Sequence, residues 1–562
     1  MATNSEGDAI MAVPTAPKPV PTSLQKVITT RQFVLMALSS SIGAGLLLST
    51  GQALAVGGPA PLLIAFAVVG LAVWITMCNL GELSTNFPVK GSFYEYSVRF
   101  ISPGWGFAMG WNYVVNLVFI VPFEIIVIIM CMHFWSLHVS TFVLIPVFIL
   151  GLAVIYSFGA RFYAEAENIF GALKIIVIAI FVATALAILA RSVPTDTRPV
   201  DRLALETWQT GAFLNGAPGF LFAFATAGIA YGGTEMLGLT AGECRSPQRV
   251  MLASGLVAVR VVLLYLLPVL MLGLVLTVDP GPTTASKSAN TTKELISPFV
   301  VAVSQANIPV LPDLMNAIII VAIFSMANAT SELCPTHADS IQGRKCVSKA
   351  LAPHSKACKS RSKRLWLTST VAVFASSRAL QAICTRGMGP AFCARLYRNR
   401  PLGALAVVFA FSLLSFAKAT PHGDEVFVWL LSLASCSNYL TWCSICIAQV
   451  RCRLALKRQG RSFDNPDAYR SPVGIAGSLF AIGIFVFGLA AQITAAAQSP
   501  LSSPPPVSSS FMGLLVVVVF WVGYLAWKPK DVLLVPLDRI DLGPKEPVPN
   551  PLSAVGTGYA AV

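Results

Sequence analysis

Long apolar blocks alternate along the chain with short polar or Gly/Pro-rich segments. Most blocks run for about 20 residues, the length that an α-helix needs to cross the hydrocarbon core of a bilayer. The pattern predicts twelve spans, at 32–54, 60–80, 105–135, 141–158, 168–190, 217–240, 251–278, from about 312, 401–417, 425–449, 473–497 and 511–527. We therefore expect an all-α polytopic membrane protein, with 32–527 as one transmembrane domain.

The composition agrees with this class. Of the 562 residues, 55% are hydrophobic and 11% are charged, and the mean hydropathy is +0.72, which is unlike a soluble domain of this size. The net charge of +14 therefore indicates basic loops beside a bilayer rather than a nucleic-acid partner. Many of the twelve Cys residues lie in apolar blocks, where a thiol packs as a small hydrophobe, so we expect neither a disulfide framework nor a metal site.

The predicted loops differ in charge between the two sides of the membrane. Loops on the side of the N-terminus carry fifteen Lys and Arg residues, and the opposite loops carry six. Cytoplasmic loops are enriched in these residues, so both termini are expected in the cytoplasm. A glycosylation sequon at Asn290 falls in a predicted outward loop. Residues 1–31 are Pro-rich and lack a signal-peptide core, which predicts a disordered cytoplasmic tail, and 528–562 form the C-terminal tail.

Two predicted spans contain glycines that would interrupt a continuous helix. The first span contains Ser39-Ser40-Ser41-Ile42-Gly43-Ala44-Gly45-Leu46, and the sixth contains Tyr231-Gly232-Gly233-Thr234-Glu235. Gly costs about 1 kcal/mol relative to Ala inside a helix, and backbone groups freed in the membrane need protein, water or a ligand as partner. A pair of interrupted spans heading two five-helix halves is typical of a transporter site between inverted repeats. Close packing of helices on small residues is the alternative.

Ionisable residues also lie inside apolar blocks. Glu124 in the third span has apolar neighbours on both sides, and Glu235 follows the break of the sixth span. An ionisable group in the membrane is a functional candidate by default; the alternatives are a structural bond to backbone for Glu124 and a water-accessible helix end for Glu235. Lys174 lies near the predicted cytoplasmic end of the fifth span and is expected to snorkel. Three amides fit either ligand contact or bonding between helices: Asn116, Asn328 and Asn438.

In combination, these stretches resemble the fungal amino acid permeases of the amino acid–polyamine–organocation superfamily, over roughly 30–545 of the chain. The matching motifs are Ser41-Ile42-Gly43-Ala44-Gly45-Leu46; Gly81-Glu82-Leu83 with Phe87-Pro88-Val89 and Gly91-Ser92-Phe93; Gly106-Phe107 with Gly110-Trp111-Asn112-Tyr113 and Pro122-Phe123-Glu124; Gly233-Thr234-Glu235 with Gly238, Ala241-Gly242-Glu243 and Pro247; Trp429-Leu430-Leu431 with Leu440-Thr441-Trp442 and Ser444-Ile445-Cys446; and Leu456-Lys457-Arg458-Gln459-Gly460-Arg461-Ser462.

The resemblance implies two inverted five-helix repeats with broken helices 1 and 6, followed by two C-terminal helices. It also implies import of amino acids across the plasma membrane by proton symport with alternating access. The substrate carboxylate would meet the backbone of the first break and the ammonium the carbonyls of the second, with Tyr231 as an aromatic gate. The implied substrate-binding residues are Ser41, Ile42, Gly43, Ala44, Gly45, Glu124, Tyr231, Gly232, Gly233, Thr234 and Asn438, and the implied proton-coupling residues are Glu124 and Glu235.

The implied partners are an amino acid, a proton and the lipid bilayer, without a cofactor, a metal or nucleic acid. Two other functions stay open, namely a non-transporting amino acid sensor of the same fold and a transporter of polyamine- or choline-type amines. Such sensors tend to carry a long N-terminal extension, whereas the first span here begins after 1–31. We do not expect an enzyme, because the chain offers no nucleophile–base set, phosphate loop or metal cluster. Asn438 replaces a residue that is usually small in the family, which would reshape the side-chain pocket.

A larger departure interrupts the eighth span. Ile318–Thr330 begins a normal helix, and Val373–Arg378 resembles its continuation in the family. The intervening segment 331–371 contains eight Lys and Arg residues, each of which would cost about 2.5–3.5 kcal/mol or more at a helix centre in lipid. We interpret 331–371 as a retained intron in the gene model or as a disordered cytoplasmic insertion. If the segment is translated, it cuts the eighth span and makes transport by this form of the chain doubtful.

Overall fold

The computed structural model describes most of the chain, and the segments it leaves out are mainly the tails and several loops. The described residues are 30–39, 41–87, 93–135, 139–158, 160–191, 208, 211–235, 247–276, 297–304, 308–329, 372–385, 387–396, 401–420, 423–463, 469–497, 507–529 and 531–542. The predicted tail before Thr30, the sequon at Asn290 and the segment 331–371 lie outside them. Within the described residues, all regular secondary structure is helical.

The chain forms a succession of helices that follows the predicted spans. The helices up to the predicted break of the sixth span are α1 (Thr30–Ser39), α2 (Ala44–Leu47), α3 (Ser49–Gly57), α4 (Pro59–Asn86), α5 (Tyr94–Phe100), α6 (Pro103–Met132, followed by a 3₁₀ turn at His133–Trp135), α7 (Thr141–Phe158), α8 (Ala160–Arg191) and α9 (Gly216–Ala230). Those after it are α10 (Pro247–Arg260), a π-helical segment (Val261–Leu266), α11 (Leu267–Val275), α12 (Pro298–Ser304), α13 (Leu311–Ala329), α14 (Ala372–Thr385), α15 (Ala391–Ala394), α16 (Leu402–Ser412, followed by 3₁₀ residues Leu413–Ala419), α17 (Gly423–Arg458), α18 (Gly474–Ala497) and α19 (Val507–Trp527), with a last 3₁₀ turn at Leu537–Arg539.

Local sequence explains several of these helix ends. Gly58 has a φ of +88°, a conformation that favours glycine, and Pro59 then begins α4, where its missing N–H costs nothing. At the start of α6, the Ser102 hydroxyl accepts a hydrogen bond from the Trp105 amide at 3.1 Å, and Pro103 occupies the first helical position. The first turns of two long helices are thus set by turn and capping residues at the ends of the apolar blocks.

The helices have the length and composition of membrane spans. In the described part of the chain, eight helices are long and apolar enough to cross a bilayer, and four shorter apolar helices accompany them. Two of the shorter ones are the half-helices next to the predicted breaks, Ala44–Gly57 and Gly216–Ala230. The predicted fold class, an all-α polytopic membrane protein with broken helices 1 and 6, is confirmed, whereas the count of twelve spans stays a prediction.

Two helices form the centre of the bundle. In the most apolar stretches of α6 and α17, 89% and 94% of the residues are buried, compared with 28% and 22% in those of α18 and α19. The central pair packs against each other, and α17 also contacts α9, α18 and α19. The outer helices therefore present most of their apolar surface to lipid, and the polar residues carried by the inner helices lie within protein.

The end of α4 carries a buried carboxylate, at a position beyond the predicted span 60–80. Helix α4 continues to Asn86, and Glu82 within it is 1% exposed. Arg453 of α17 bonds both carboxylate oxygens of Glu82, with its Nε 2.8 Å from Oε1. The Gln449 side chain and the Ser471 amide donate to the same carboxylate at 2.8 and 2.7 Å. This group of bonds ties α4 to α17 and to the start of α18.

The segment after α19 folds back onto the bundle. The Val535 amide donates to the Ile101 carbonyl at 2.9 Å, and the Arg451 guanidinium of α17 donates to the carbonyl groups of Phe100 and Val535. Ile540 is 3% exposed in a hydrophobic cluster with α5 and α17. Residues 531–542, part of the predicted C-terminal tail, therefore pack on the same end of the bundle as α5.

Candidate functional site

The first span is broken at the predicted position. Helix α1 ends at Ser39 and α2 begins at Ala44, and between them Gly43 is fully extended, with φ −153° and ψ −156°. Residues 41–45 are all buried. A Cβ atom on Gly45 would lie 2.7 Å from the Ala230 Cα atom, so the backbone of this break packs directly on the end of α9. The glycines that interrupt the helix also allow this close approach.

The sixth span is broken where α9 ends at Ala230. Tyr231 caps the helix, and Gly233 has a φ of +84°, which a residue with a side chain rarely adopts. The Thr234 hydroxyl donates to the Tyr231 carbonyl at 2.6 Å and replaces a helical bond that the break removes. Tyr231 and Thr234 are 0% exposed. The two breaks thus meet inside the protein, as the pattern of two Gly-interrupted spans predicted.

The helix that follows the second break contributes two side chains that the sequence did not single out. Arg260 and Tyr265 are five residues apart, which would place them about 140° apart around a straight α-helix. The π-helical segment Val261–Leu266 widens the turn between them. Both side chains are 0% exposed and reach the breaks. Short π-helical segments often occur at functional sites, and here one directs two polar side chains inward.

Tyr265 bridges the two breaks. Its hydroxyl lies 2.7 Å from the Ser41 carbonyl, 3.0 Å from the Ala230 carbonyl and 3.0 Å from the Ser41 hydroxyl. Its ring stacks on Tyr231 with centroids 4.5 Å apart, and the Tyr231 hydroxyl donates to the Phe66 carbonyl of α4 at 3.0 Å. The Tyr265 hydroxyl therefore contacts backbone carbonyl groups of both interrupted helices, and the Tyr265 ring packs against Tyr231, the residue expected to act as an aromatic gate.

Arg260 also joins the two breaks. Its Nη1 donates to the Ala37 carbonyl in the last turn of α1 at 3.1 Å, and its Nη2 donates to the Thr234 hydroxyl at 2.6 Å. Its Nε is buried, and no other described group forms a hydrogen bond with it. Because the final carbonyl groups of a helix lack partners within the helix and carry its negative end, a cation is well placed there.

Glu124 of α6 lies beside the first break, as predicted. It is 2% exposed and accepts a hydrogen bond from the Ala44 amide, and its Oε2 is buried with no hydrogen-bond partner among the described residues. Lys174 of α8 is 0% exposed and close enough for its charge to act on Glu124. The expectation that Lys174 snorkels to the membrane surface is therefore wrong, because the residue faces the bundle interior.

Met326 of α13 fills the space between the two breaks. A Cβ atom on Gly43 would lie 2.8 Å from the Met326 Cγ and 3.4 Å from Glu124 Oε1, and one on Gly233 would lie 3.8 Å from the Met326 Cε. The side chain is 5% exposed. A flexible thioether at this point adapts to its surroundings, so Met326 is placed to limit what fits between the breaks.

The other predicted residues lie on the α17 side of the second break. Glu235 is 3% exposed, and its Oε2 accepts a hydrogen bond from the Trp442 Nε1 at 3.1 Å. Asn438 donates to the Gly228 carbonyl at 3.1 Å and accepts from Asn116 at 2.9 Å. Glu235 is therefore buried rather than at a wet helix end, and Asn438 and Asn116 bond helices together beside the break. The side chain of Asn328 lies outside the described residues.

The two breaks and the buried carboxylates of Glu124 and Glu235 form a polar cluster in an otherwise apolar interior. Among the described residues, no group of three or more His, Cys, Asp or Glu could hold a metal ion. An apolar groove of about 560 Å³ lies elsewhere, lined by residues such as Leu150 of α7 and Phe409 of α16, and lacks groups for a charged ligand.

Comparison with known proteins decides the family. The model of the family described as "Amino acid permease" matches residues 32–335 and 365–534. The chain belongs to the amino acid permease family. This family places it among multi-pass membrane transporters rather than enzymes. The unmatched residues 336–364 fall inside the segment 331–371 that the sequence marked as atypical, and the nature of that segment stays a prediction.

Individual permeases are similar over most of the chain. An "uncharacterized amino-acid permease" of Schizosaccharomyces pombe is 32% identical over 89% of this chain and 78% of its own length. A "general amino-acid permease" of Candida albicans is 31% identical over 93% of this chain and 81% of its own length. Among solved structures, a manganese transporter of Eremococcus coleocola aligns over 91% of this chain and 96% of its own, with 11% identity and a TM-score of 0.47.

Sequence reasoning located both breaks but missed three side chains that line them. Arg260 was detectable as an ionisable residue inside the predicted span 251–278, by the criterion that singled out Glu124. Tyr265 and Met326 carried no such signal, because an aromatic residue or a Met in an apolar helix faces lipid or protein with equal ease. Their roles follow from the packing alone.

Proposed function

We propose that this permease imports amino acids across the plasma membrane by proton symport with alternating access, with both termini in the cytoplasm. The observation that carries the proposal is that two broken helices pack against each other inside the bundle, with Glu124 and Glu235 buried beside them. Membership of the amino acid permease family supports an amino acid as the substrate. The excess of Lys and Arg in loops on the N-terminal side supports the orientation.

In this proposal the substrate spans the two breaks. Its carboxylate takes amide groups of residues 41–45, and its ammonium takes carbonyl groups of residues 231–234. Tyr231 closes over the substrate, and Asn438 shapes the side-chain pocket. A zwitterion that leaves water needs both of its charges met by dipoles or opposite charges, and the two breaks supply dipoles of opposite sense.

The burial of the site supports alternating access. Tyr231 and Thr234 are 0% exposed, Glu124 is 2% exposed and Glu235 is 3% exposed. A substrate cannot enter or leave this arrangement unless helices move apart. In this proposal the buried arrangement is the closed form of the cycle, between forms open to each side.

Glu124 and Glu235 are the proposed proton carriers. A carboxylate at this depth is costly in its ionised form, and Glu124 Oε2 has no hydrogen-bond partner in the described structure. A proton that neutralises the carboxylate during one half of the cycle, and leaves in the other, links the movement of the helices to the proton gradient. Glu124 lies beside the first break and is therefore the residue to test first.

The test is uptake of a panel of labelled amino acids in permease-deficient cells, at acidic and at neutral external pH. The chain is expressed with and without residues 331–371, and Glu124→Gln is made in whichever form transports. We expect uptake that is faster at acidic pH, and we expect Glu124→Gln to remove this pH dependence. Glu425→Gln, at an exposed position at the start of α17, is the matched control and should keep it.

The outcomes separate the open functions. Uptake only by the form without 331–371 would support both the proposed function and the interpretation of that segment. If both forms reach the cell surface and neither takes up an amino acid, the proposal is wrong, and a sensor or a transporter of other amines takes its place. Uptake that is inhibited by polyamines or choline, but not by free amino acids, would point to a transporter of other amines.

A further inference from the structure

The buried arginine between the two breaks has no part in the proposed substrate contacts. Arg260 is 0% exposed and lies within the apolar helix Met251–Val275. Ionisable residues at such depth are rare and costly, and they mark functional positions more often than structural ones. A cation here therefore calls for a role that an apolar side chain could not fill.

Its two hydrogen bonds connect parts of the protein that belong to different half-helices. Nη1 bonds the Ala37 carbonyl of α1, on the N-terminal side of the first break, and Nη2 bonds the Thr234 hydroxyl, just after the second break. Thr234 in turn donates to Tyr231. The rigid, planar guanidinium reaches both acceptors at once, which the single ammonium group of Lys does not do with the same geometry.

Both acceptors are neutral, and this makes the link releasable. In the described structure, no carboxylate lies within ion-pair distance of Arg260. The Glu235 carboxylate is close enough for its charge to act on Arg260, but the hydrogen bond that it accepts comes from Trp442. Breaking a buried ion pair costs far more than exchanging hydrogen bonds to neutral oxygen atoms. Two such bonds are strong enough to favour a closed arrangement and weak enough to break in every cycle.

We propose that Arg260 is a positioning residue that holds α1 against the segment after the second break, and that release of its bonds opens the site toward the side of the N-terminus. This inference rests on the alternating access of the proposed function. In the closed form, α1 is held by Arg260 at Ala37 while Tyr265 holds the residues of the break itself. Movement of α1 away from α10 breaks the first contact and exposes the residues beside it.

The test measures the position of α1 directly, without substrate. Leu38, next to Ala37 and half-buried, is replaced by Cys, and sealed vesicles are treated with a membrane-impermeant maleimide from either face. The same chain without Leu38→Cys gives the background from the native Cys residues. Thr234→Val removes the hydroxyl that Arg260 bonds and keeps the shape of the side chain, whereas Thr234→Ser keeps the hydroxyl. Arg260→Lys keeps the positive charge but removes the planar guanidinium that reaches both acceptors at once.

We expect Thr234→Val and Arg260→Lys to speed labelling from the N-terminal face by roughly tenfold or more, the factor that loss of a hydrogen bond to a charged group predicts. Thr234→Ser should keep the slow rate. Thr226→Val in α9 is the matched control, because within the described part of the chain the Thr226 hydroxyl bonds the Phe222 carbonyl of its own helix and no other group. It should label as slowly as the parent.

Unchanged labelling in both Thr234→Val and Arg260→Lys would overturn the inference, as would equal acceleration by Thr226→Val. A drop in the amount of folded protein with normal labelling of the remainder would show a purely structural role, and would also overturn it. If the parent chain takes up no amino acid but the labelling responds as expected, the proposed import of amino acids fails, whereas the opening movement and the role of Arg260 in it stand.

Discussion

A single methyl group at Gly45 tests whether the two breaks must touch. A Cβ atom built on Gly45 would lie 2.7 Å from the Cα and 2.8 Å from the amide nitrogen of Ala230, and 3.0 Å from the carbonyl carbon of Ile229. All three neighbours are backbone atoms, so no side chain can rotate away. Since non-bonded carbon atoms prefer about 3.5–4.0 Å, Gly45→Ala forces the first break and α9 apart by about 1 Å.

The magnitude follows from two opposing terms. Overpacking a buried contact costs about 1–3 kcal/mol, and the upper part of this range applies where backbone must move. Replacing Gly by Ala in a helix returns about 1 kcal/mol at most. The net loss of about 1–2 kcal/mol in the closed form corresponds to a fivefold to thirtyfold change in its population. We therefore expect uptake at a fixed surface amount to fall by at least about fivefold.

The assay is labelled amino acid uptake in permease-deficient cells, normalised to surface protein. Gly255→Ala is the matched control. Gly255 lies in α10, and apart from its chain neighbours and the local helix backbone no described atom lies within 4 Å of the added Cβ, so the change should be neutral or slightly stabilising. If Gly45→Ala transports like the parent while Gly255→Ala also does, the breaks do not need to pack in this way, and the reasoning about the closed form is refuted.

Three further changes have distinct expected outcomes. Tyr265→Phe removes the one O–H group that the buried carbonyl groups of Ser41 and Ala230 share, at a cost of about 1–3 kcal/mol, so uptake should fall at least about fivefold. Tyr524→Phe, far from the breaks, should not change uptake, and equal uptake in the two variants would contradict the bridging role of Tyr265. Gly43→Ala should also reduce uptake, and Met326→Ala in the same chain should restore it, because the nearest atoms belong to that flexible side chain; failure of rescue would show that another contact is limiting. Glu82→Gln places a neutral amide among the four donor groups of Arg453, Gln449 and Ser471. Because removing one partner of a buried ion pair costs about 3–5 kcal/mol, the variant should unfold at a lower temperature in detergent, and an unchanged unfolding temperature would refute this.

The sequence determined the class of protein because the length of apolar blocks is a local property. Blocks of about 20 residues predict membrane helices whatever their neighbours are, and the described helices begin and end close to the predicted spans. The breaks were predictable for the same reason: Gly43-Ala44-Gly45 and Gly232-Gly233 disrupt a helix by themselves. Helices α5 and α12 and the extension of α4 to Asn86 were not predicted, because they lie at the ends of the bundle, where apolar length is no guide.

Tertiary structure decided which side chains meet at the breaks. In a soluble helix, the alternation of apolar and polar residues shows which face is buried. A membrane helix has no such contrast, since lipid and protein interior are both apolar, and its inward face is set by packing against neighbours. Lys174 therefore turned out to be buried beside Glu124 rather than at the surface, and Met326 came to lie between the breaks. The π-helical turn that brings Arg260 and Tyr265 to one site likewise follows from packing, because no local signal in Val261–Leu266 requires it.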